Sequence, residues 1–502
     1  MVFAPLFLLL ILFSPLLQTS ISHDLDTNAI LKLWTATTEF GTTARISLIQ
    51  NTATLRMSVQ IEFDRMGCPL FEQITISNRS ETSGSLRSRF GPDEMLLFIE
   101  GPSIQTLLLR QRDCNSYLNT FDVPIEGDYR MKVVYIRSNY SAVNELINLC
   151  PQAGFDTILD TQVRLTKSIS SPSVKKCKGY WIHKTPELSL LQNKTMRLEP
   201  HAYMRNLPIS SWLNLSSNPV TKVIENQLYS CVDDADHYDW KLPECADPQQ
   251  VVLNGVQISD ILRGQRIMVI GDSHARTLSV NLIKWACDAK FPDMRHQSTT
   301  HKVPVNATRC AGLHLSFMHE AYCGIYSLPP LNTFDLVIAN CGHHPAAAEH
   351  ATLEEYTGMV TRLAEAAISR GYKKATFAWL ESVPQPIRND RWFIDYKDWR
   401  TYHRLDIFNQ FAHQIMTRIT NTTEESEKKG IDQQDKDQNI LHGGFTVIPA
   451  FNNMLPFSEK LCDNGHYTCP QLYIPVYQSL VRLLTTKNGS LIEAARENMS
   501  KI

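Results

Sequence analysis

Beyond about residue 250 the chain alternates between two rhythms, and that alternation constrains the fold more than any other feature. The apolar runs RIMVIG, FDLVIANC, KATFAWLES and GFTVIPAF are each strand-length, and helical-looking stretches near 274–288, 351–370, 402–419 and 470–485 are interleaved with them. Strands and helices in alternation predict an α/β fold with a mainly parallel sheet. In such a sheet the carboxyl ends of the strands and the loops that follow them gather at one edge, where ligands bind. Ser273 follows the run ending at Gly271, Asn340 closes FDLVIAN, and the segment CDNGHYTC follows the last run by a loop. Three separate segments therefore bring Ser, Asn and His to one edge.

The earlier part of the chain has a different period. From about Thr42 to Ser138, short alternating segments such as TLRMSVQIEF, EMLLFIEG and YRMKVVYIRS are separated by turn signals including GPDE and PIEGD. This predicts an all-β sandwich, and FDVPIEGDYRMKVVY resembles the closing hairpin of an immunoglobulin- or filamin-like domain. Residues 171–250 have no sustained period and hold Cys177, Cys231 and Cys245, which suggests a disulfide-held connector. At 502 residues the chain exceeds one ordinary core, so four segments are expected. They are a leader over 1–22, a sandwich over 23–170, the connector over 171–250 and an α/β domain over 251–502. The polar run at 421–438 reads as a mobile surface insertion.

Composition excludes one class of partner. Lys and Arg number 49 against 51 Asp and Glu, with no long basic run, so nothing marks a nucleic-acid surface. The N-terminal MVFAPLFLLLILFSPLLQTSIS reads as a cleaved signal peptide. A retained type II anchor is the alternative, but Pro5, Pro15 and the missing flanking cations argue against it, and no later segment is apolar for long enough to span a bilayer. Twelve cysteines behind such a leader read as disulfides. Eight Asn-x-Ser/Thr sequons, at Asn78, Asn139, Asn193, Asn214, Asn306, Asn421, Asn488 and Asn498, point the same way: the secretory pathway, in the ER or Golgi lumen or secreted, with N-linked glycans on the surface.

The chemistry at the predicted edge is that of a nucleophilic site. A serine at a strand-to-helix turn sits where free amide N–H groups and the helix dipole favour an oxyanion. Its hydroxyl is a poor nucleophile until an imidazole takes the proton, and an Asp-x-x-His such as Asp463 to His466 supplies the imidazole with a carboxylate to orient it. Asp272 reads as the N-cap of the following helix and not as a catalytic acid. His343 and His344 with His274 and His466 would be the residues of a metal cluster, but adjacent histidines after a strand rarely face one ion, so no metal is expected. Cys462 and Cys469 bracket the Asp-x-x-His and are expected in disulfides, with each other or with other cysteines.

GDSHAR, ANCGHHP and CDNGHY resemble, in order, the Gly-Asp-Ser, Asn-x-Gly-His and Asp-x-x-His blocks of the PC-esterase branch of the SGNH hydrolase superfamily. That branch includes the trichome-birefringence-like polysaccharide O-acetyltransferases and the NXPE (neurexophilin and PC-esterase domain) proteins, whose layout is also similar. The resemblance covers roughly residues 250–485. It implies an SGNH-type three-layer α/β domain with Ser273 as nucleophile, His466 as general base then acid, and Asp463 orienting His466. It also implies Asn340 as an oxyanion donor beside the Ser273 backbone N–H, Gly312 in RCAGLHLSF as a further oxyanion N–H, and His343 lining the pocket. Arg276 matches an arginine of the branch, and either binds an acyl or sugar oxygen or faces a neighbouring carboxylate. The expected activity is O-acetyl transfer to a glycan hydroxyl through an acyl-serine, without a bound cofactor and with acetyl-CoA or an acetylated substrate as donor. Carbohydrate acetylesterase activity and a non-catalytic binding module are the alternatives.

Overall fold

The computed structural model of the chain describes residues 28–38, 42–65, 72–74, 88–90, 93–113, 115–138, 152–169, 179–183, 238–242, 252–289, 298–347, 351–373, 376–385, 400–430, 445–458, 466–467 and 469–487. The N-terminal part contains two antiparallel sheets. The first has the order β1 (Asn28–Thr37), β2 (Thr43–Asn51), β3 (Met57–Asp64), β9 (Ser116–Phe121), β8 (Arg110–Asp113). The second runs β11 (Gln152–Leu165), β10 (Gly127–Ser138), β6 (Glu94–Glu100), β7 (Ser103–Leu108), β12 (Tyr180–His183), β13 (Tyr238–Lys241). A separate two-stranded sheet pairs β4 (Glu72–Ile74) antiparallel with β5 (Ser88–Phe90). The period-two pattern explains how the large sheets meet: Met57, Val59, Ile61 and Phe63 on β3 are buried, and they share one core with Met95, Leu97 and Ile99 of β6 and Met131, Val133 and Tyr135 of β10.

The second sheet is buried on its other face too. Leu96 and Phe98 of β6, Leu108 of β7 and Val134 and Ile136 of β10 belong to a different core, shared with Tyr402, Leu405 and Phe408 from the C-terminal half. This accounts for the unbroken apolar run Met95–Ile99: a strand covered on both sides has no polar face to alternate with. Polar groups complete this junction. Arg110 pairs with the buried Asp406, and the His403 N–H donates to Glu94 Oε1 at 3.1 Å, so a carboxylate from β6 caps a helix far away in sequence.

The C-terminal sheet has the order β15 (Thr299–Lys302), β16 (His314–His319), β14 (Arg266–Gly271), β17 (Leu336–Ala339), β18 (Phe377–Leu380), β19 (Thr446–Ile448). All neighbours are parallel except the edge pair of β15 with β16. The class is thus α/β with a mainly parallel sheet. Ile267 and Val269 of β14 face a core that includes Leu278 and Leu282 of α2 (Ser273–Ala286), together with residues of α1 (Gly255–Leu262) and α7 (Ile474–Lys487). Met268 and Ile270 face the opposite core, with α4 (Leu353–Ser369) and α5 (Tyr402–Gly430). The short α3 (His343–Ala346) and α6 (Phe451–Met454) follow β17 and β19. Alternate residues of one strand therefore feed two helix-covered cores.

Two expectations need adjustment. The polar run expected as an insertion is helical as far as Gly430, since α5 continues through Asn421 and the Glu- and Lys-rich residues after it; these are good helix formers with no Pro or Gly to interrupt them. Residues 431–438 lie outside the described residues. Of the expected connector, the described segments 179–183 and 238–242 form β12 and β13 and extend the second sheet. The Trp181 indole N–H donates to the Asn453 carbonyl at 2.9 Å and its ring packs edge-on against Phe457 at 4.9 Å, which ties this segment to the α/β unit. Cys177, Cys231, Cys245 and the leader lie outside the described residues. Disulfides join Cys287 to Cys310 and Cys323 to Cys341. Asn306 is exposed, and among the described residues no helix is long and apolar enough to cross a membrane.

Candidate active site

The parallel strands follow the order second, first, third, fourth, fifth in the chain, one of the two common orders of doubly wound sheets. In that order the connections turn to opposite sides between the first and third strands, here β14 and β17, and the carboxyl ends of those two strands open a crevice. Gly271 ends β14 there. A Cβ on it would lie 2.9 Å from the Asn340 carbonyl oxygen and 2.7 Å from the Ala275 Cβ, so only glycine lets the two strand ends and the start of α2 close on one another. Asp272 is the N-cap expected from sequence: Oδ1 accepts the N–H groups of His274 at 2.9 Å and Ala275 at 3.4 Å. Ser273 is the first residue of α2, and among the described residues its N–H meets no acceptor.

His466, distant by 193 residues, places Nε2 2.8 Å from Ser273 Oγ. Both residues are partly exposed, so the pair is reachable from solvent. With the imidazole proton on Nδ1, Nε2 accepts the serine hydroxyl hydrogen, the geometry for removing that proton as the oxygen attacks. Asn281, two turns along α2, donates from Nδ2 to the Tyr467 carbonyl at 3.0 Å and holds the His466 segment against the helix that carries the serine. Asp463 and Cys462 lie outside the described residues, while Cys469 is buried beside the last helix.

A second pair of imidazoles packs against this one. His274 stacks face to face on His343 at 3.6 Å and 16°, and its ring lies 4.8 Å from that of His466. Burial first, then the neighbouring His343 and His466, hold His274 well below the ordinary histidine range. His343 is held down in the same way, by burial and then by Arg400, against a weak opposing effect of the Val383 backbone. Two neutral rings thus form a wall beside His466. Stacked rings direct their in-plane lone pairs side by side and not toward one point, and among the described residues no group of three His, Cys, Asp or Glu side chains is placed to hold a metal.

The remaining expected residues divide. Asn340 stands at the right strand end, but its side-chain N–H groups donate to the Leu380 carbonyl at 2.9 Å and to Ser382 Oγ at 3.2 Å, so the amide is committed to its own neighbours and not to an oxyanion at Ser273. Gly312 is at the wrong edge. It precedes β16, whose His314 pairs with Arg266 at the start of β14, which puts it a strand length, on the order of 15–20 Å, from the serine. Its N–H is turned to the carbonyls of Val303 and Pro304, and its φ of +77° gives a separate reason for glycine there. Arg276 stands one turn into α2, half-buried, with its backbone N–H on the Asp272 carbonyl.

Four neighbours of the site were not legible in the sequence. Arg400 and Ser382 reach it through long-range packing, Asn281 lies two turns along α2 from Ser273, and none of the three belongs to a motif. Glu320 follows β16 and fixes that strand end to β14 through its N–H on the Gly271 carbonyl at 2.8 Å. The hydrophobic HLSFMH run before it was the available signal. A comparison with protein-family models found no match, and a comparison with curated proteins found none either.

Proposed function

We propose that this chain is a secretory-pathway carbohydrate O-acyltransferase, most simply an O-acetyltransferase, of the PC-esterase branch of the SGNH hydrolases and similar in layout to the NXPE proteins. The observation that carries the reading is the 2.8 Å contact between Ser273 Oγ and His466 Nε2 at the β14–β17 crevice. The order of the parallel strands supports an SGNH-type domain, and the two facing antiparallel sheets before it support an immunoglobulin- or filamin-like sandwich. Two disulfides and an exposed sequon at Asn306 support the secretory assignment.

In the proposed reaction Ser273 Oγ attacks the acyl carbonyl of the donor while His466 Nε2 takes its proton. The Ser273 N–H, at the positive end of α2, supports the oxyanion, a type of donor worth roughly 3–4 kcal/mol when aimed at the developing charge. Collapse expels the donor's leaving group, which receives the proton from His466, and leaves an acyl-serine. His466 then removes the proton of a sugar hydroxyl, which attacks the ester and releases the acylated glycan with Ser273 restored. Asp463 would hold the imidazole with Nδ1–H toward the carboxylate. Because both members of the pair are partly exposed, water can replace the sugar hydroxyl, and the same residues would then act as an acetylesterase.

The test is labelling with a serine-directed fluorophosphonate, followed by mass spectrometry of a glycan panel incubated with acetyl-CoA or an acetylated donor. Labelling at Ser273 with a gain of acetyl on a glycan is the expected result, and loss of acetyl from acetylated glycans alone would select the esterase. Absence of labelling in folded wild-type protein would overturn the enzymatic reading in favour of a binding module.

A further inference from the structure

Beside the nucleophile the loop after β16 presents an aromatic ring to solvent on an unusually well-anchored backbone. Tyr322 is 43% exposed, and its ring meets that of the half-buried His344 edge-on at 5.9 Å. Three ties fix this loop. Glu320 Oε1 accepts the Tyr322 N–H at 3.0 Å, Oε2 accepts the Ser327 hydroxyl at 3.0 Å, and Cys323 is bridged to Cys341 in the segment after β17. His344 is anchored from the other side, because the adjacent His343 stacks on His274, the residue after the nucleophile. His319 completes the rim, its ring 6.4 Å from that of His344.

We propose that Tyr322 and His344 form a platform for a sugar ring of the acceptor glycan, a reading that rests on the acyl-transfer function proposed above. A tyrosine offers an apolar face to the C–H groups of a pyranose and a hydroxyl to its polar rim, and the histidine beside it adds a ring nitrogen. The anchored loop means little conformational freedom is lost when a ligand lands, which is where preorganised sites gain affinity. Position decides which sugar is held. Glu320 and Gly271 are hydrogen-bonded neighbours, and Tyr322 and Ser273 each lie two residues further on, so their Cα atoms are separated by on the order of 10 Å. A ring on Tyr322 therefore belongs to a sugar unit beyond the one whose hydroxyl reaches Ser273, and the platform recognises oligosaccharides and not single sugars.

The test measures binding in the Ser273→Ala protein, so that no turnover intervenes. Saturation-transfer NMR and calorimetry would use neutral, N-acetylated, uronic and sialic-acid-bearing saccharides of one to four units. The expected result is binding that strengthens from one unit to two or more, falls about tenfold on Tyr322→Ala, and is retained by Tyr322→Phe. Tyr326→Ala, which removes a 91% exposed ring from the same loop, leaves binding unchanged. Thermal melting confirms that the variants are folded. Oligosaccharide affinity indifferent to Tyr322→Ala, no binding by any member longer than one unit, or coenzyme A binding in place of the glycans and dependent on Tyr322 would each overturn the proposal. If wild-type protein resists fluorophosphonate while Tyr322 still governs oligosaccharide binding, the acyl-transfer reading fails and the platform stands.

Discussion

Adding one methyl group at Gly342 tests whether the crevice is as tightly closed as its geometry indicates. A Cβ there would lie 1.8 Å from Ser382 Oγ and 2.8 Å from Ser382 Cβ. Ser382 has nowhere to go: it is 1% exposed, its N–H donates to Asn409 Oδ1 at 2.8 Å, and its carbonyl accepts from Asn409 Nδ2 at 2.9 Å. Turning the hydroxyl away removes one clash but leaves the Cβ contact, and it breaks the hydrogen bond from Asn340. Overpacking of this kind costs roughly 1–3 kcal/mol and the lost hydrogen bond about 1 more, so Gly342→Ala is expected to destabilise by about 2–4 kcal/mol. With a slope of about 3 kcal/mol per molar, that lowers the urea midpoint by about 1 M. Fluorophosphonate labelling slows too, because Asn340 and His343 flank the displaced residue. Ser382→Gly in the same chain removes the colliding atoms and recovers at least half the midpoint. A Gly342→Ala midpoint within about 0.2 M of wild type would refute the reasoning, since the loop would then have slack that the packing denies.

Ser273→Ala and His466→Ala are each expected to abolish turnover at wild-type stability, and the double variant to lose no more than either alone, because the two side chains act as one unit; a multiplicative loss would show that they do not. Asp463→Asn is expected to retain activity above Ser273→Ala, with the loss in kcat and not in KM; wild-type kcat would show that another group orients His466. Buried and neutral in the fold, His274 and His343 titrate near 6.5 once unfolded, so below that pH the unfolded chain binds more protons. Their stabilisation is present above pH 6.5 and is lost as pH falls toward the depressed folded values, at up to about 1.4 kcal/mol per pH unit for each ring. Urea midpoints at pH 7 and pH 5 should therefore differ less in His343→Phe than in wild type, and equal differences would place the acid sensitivity elsewhere.

What could be read from the sequence was what local periodicity and short motifs encode. RIMVIG running into Asp-Ser located β14, the capped start of α2 and the position of Ser273, because strand, turn and N-cap are all decided within a few residues. The His466 partnership was legible because an Asp-x-x-His carries its chemistry in its spacing. Gly312 misled because a glycine before an apolar run has two explanations, an oxyanion turn or a left-handed backbone, and only the strand register separates them. Asn340 was placed on the right strand, yet which way its amide turns depends on the carbonyl of Leu380, 40 residues on. The unbroken run Met95–Ile99 did advertise a doubly covered strand, but a sandwich expectation supplies a cover for only one side.

That double cover has a consequence for biosynthesis. The N-terminal sheets leave the ribosome well before Tyr402, Leu405 and Phe408 exist, and Leu96, Phe98, Val134 and Ile136 stay wet until those residues arrive. For that interval the half-made chain shows a sticky face to its surroundings, the condition in which nascent proteins aggregate or engage chaperones. A fragment ending before residue 250 would keep that face permanently. Damage to the first turns of α5 would accordingly emerge as a lower yield of the whole folded chain, and not as a defect confined to one half of it.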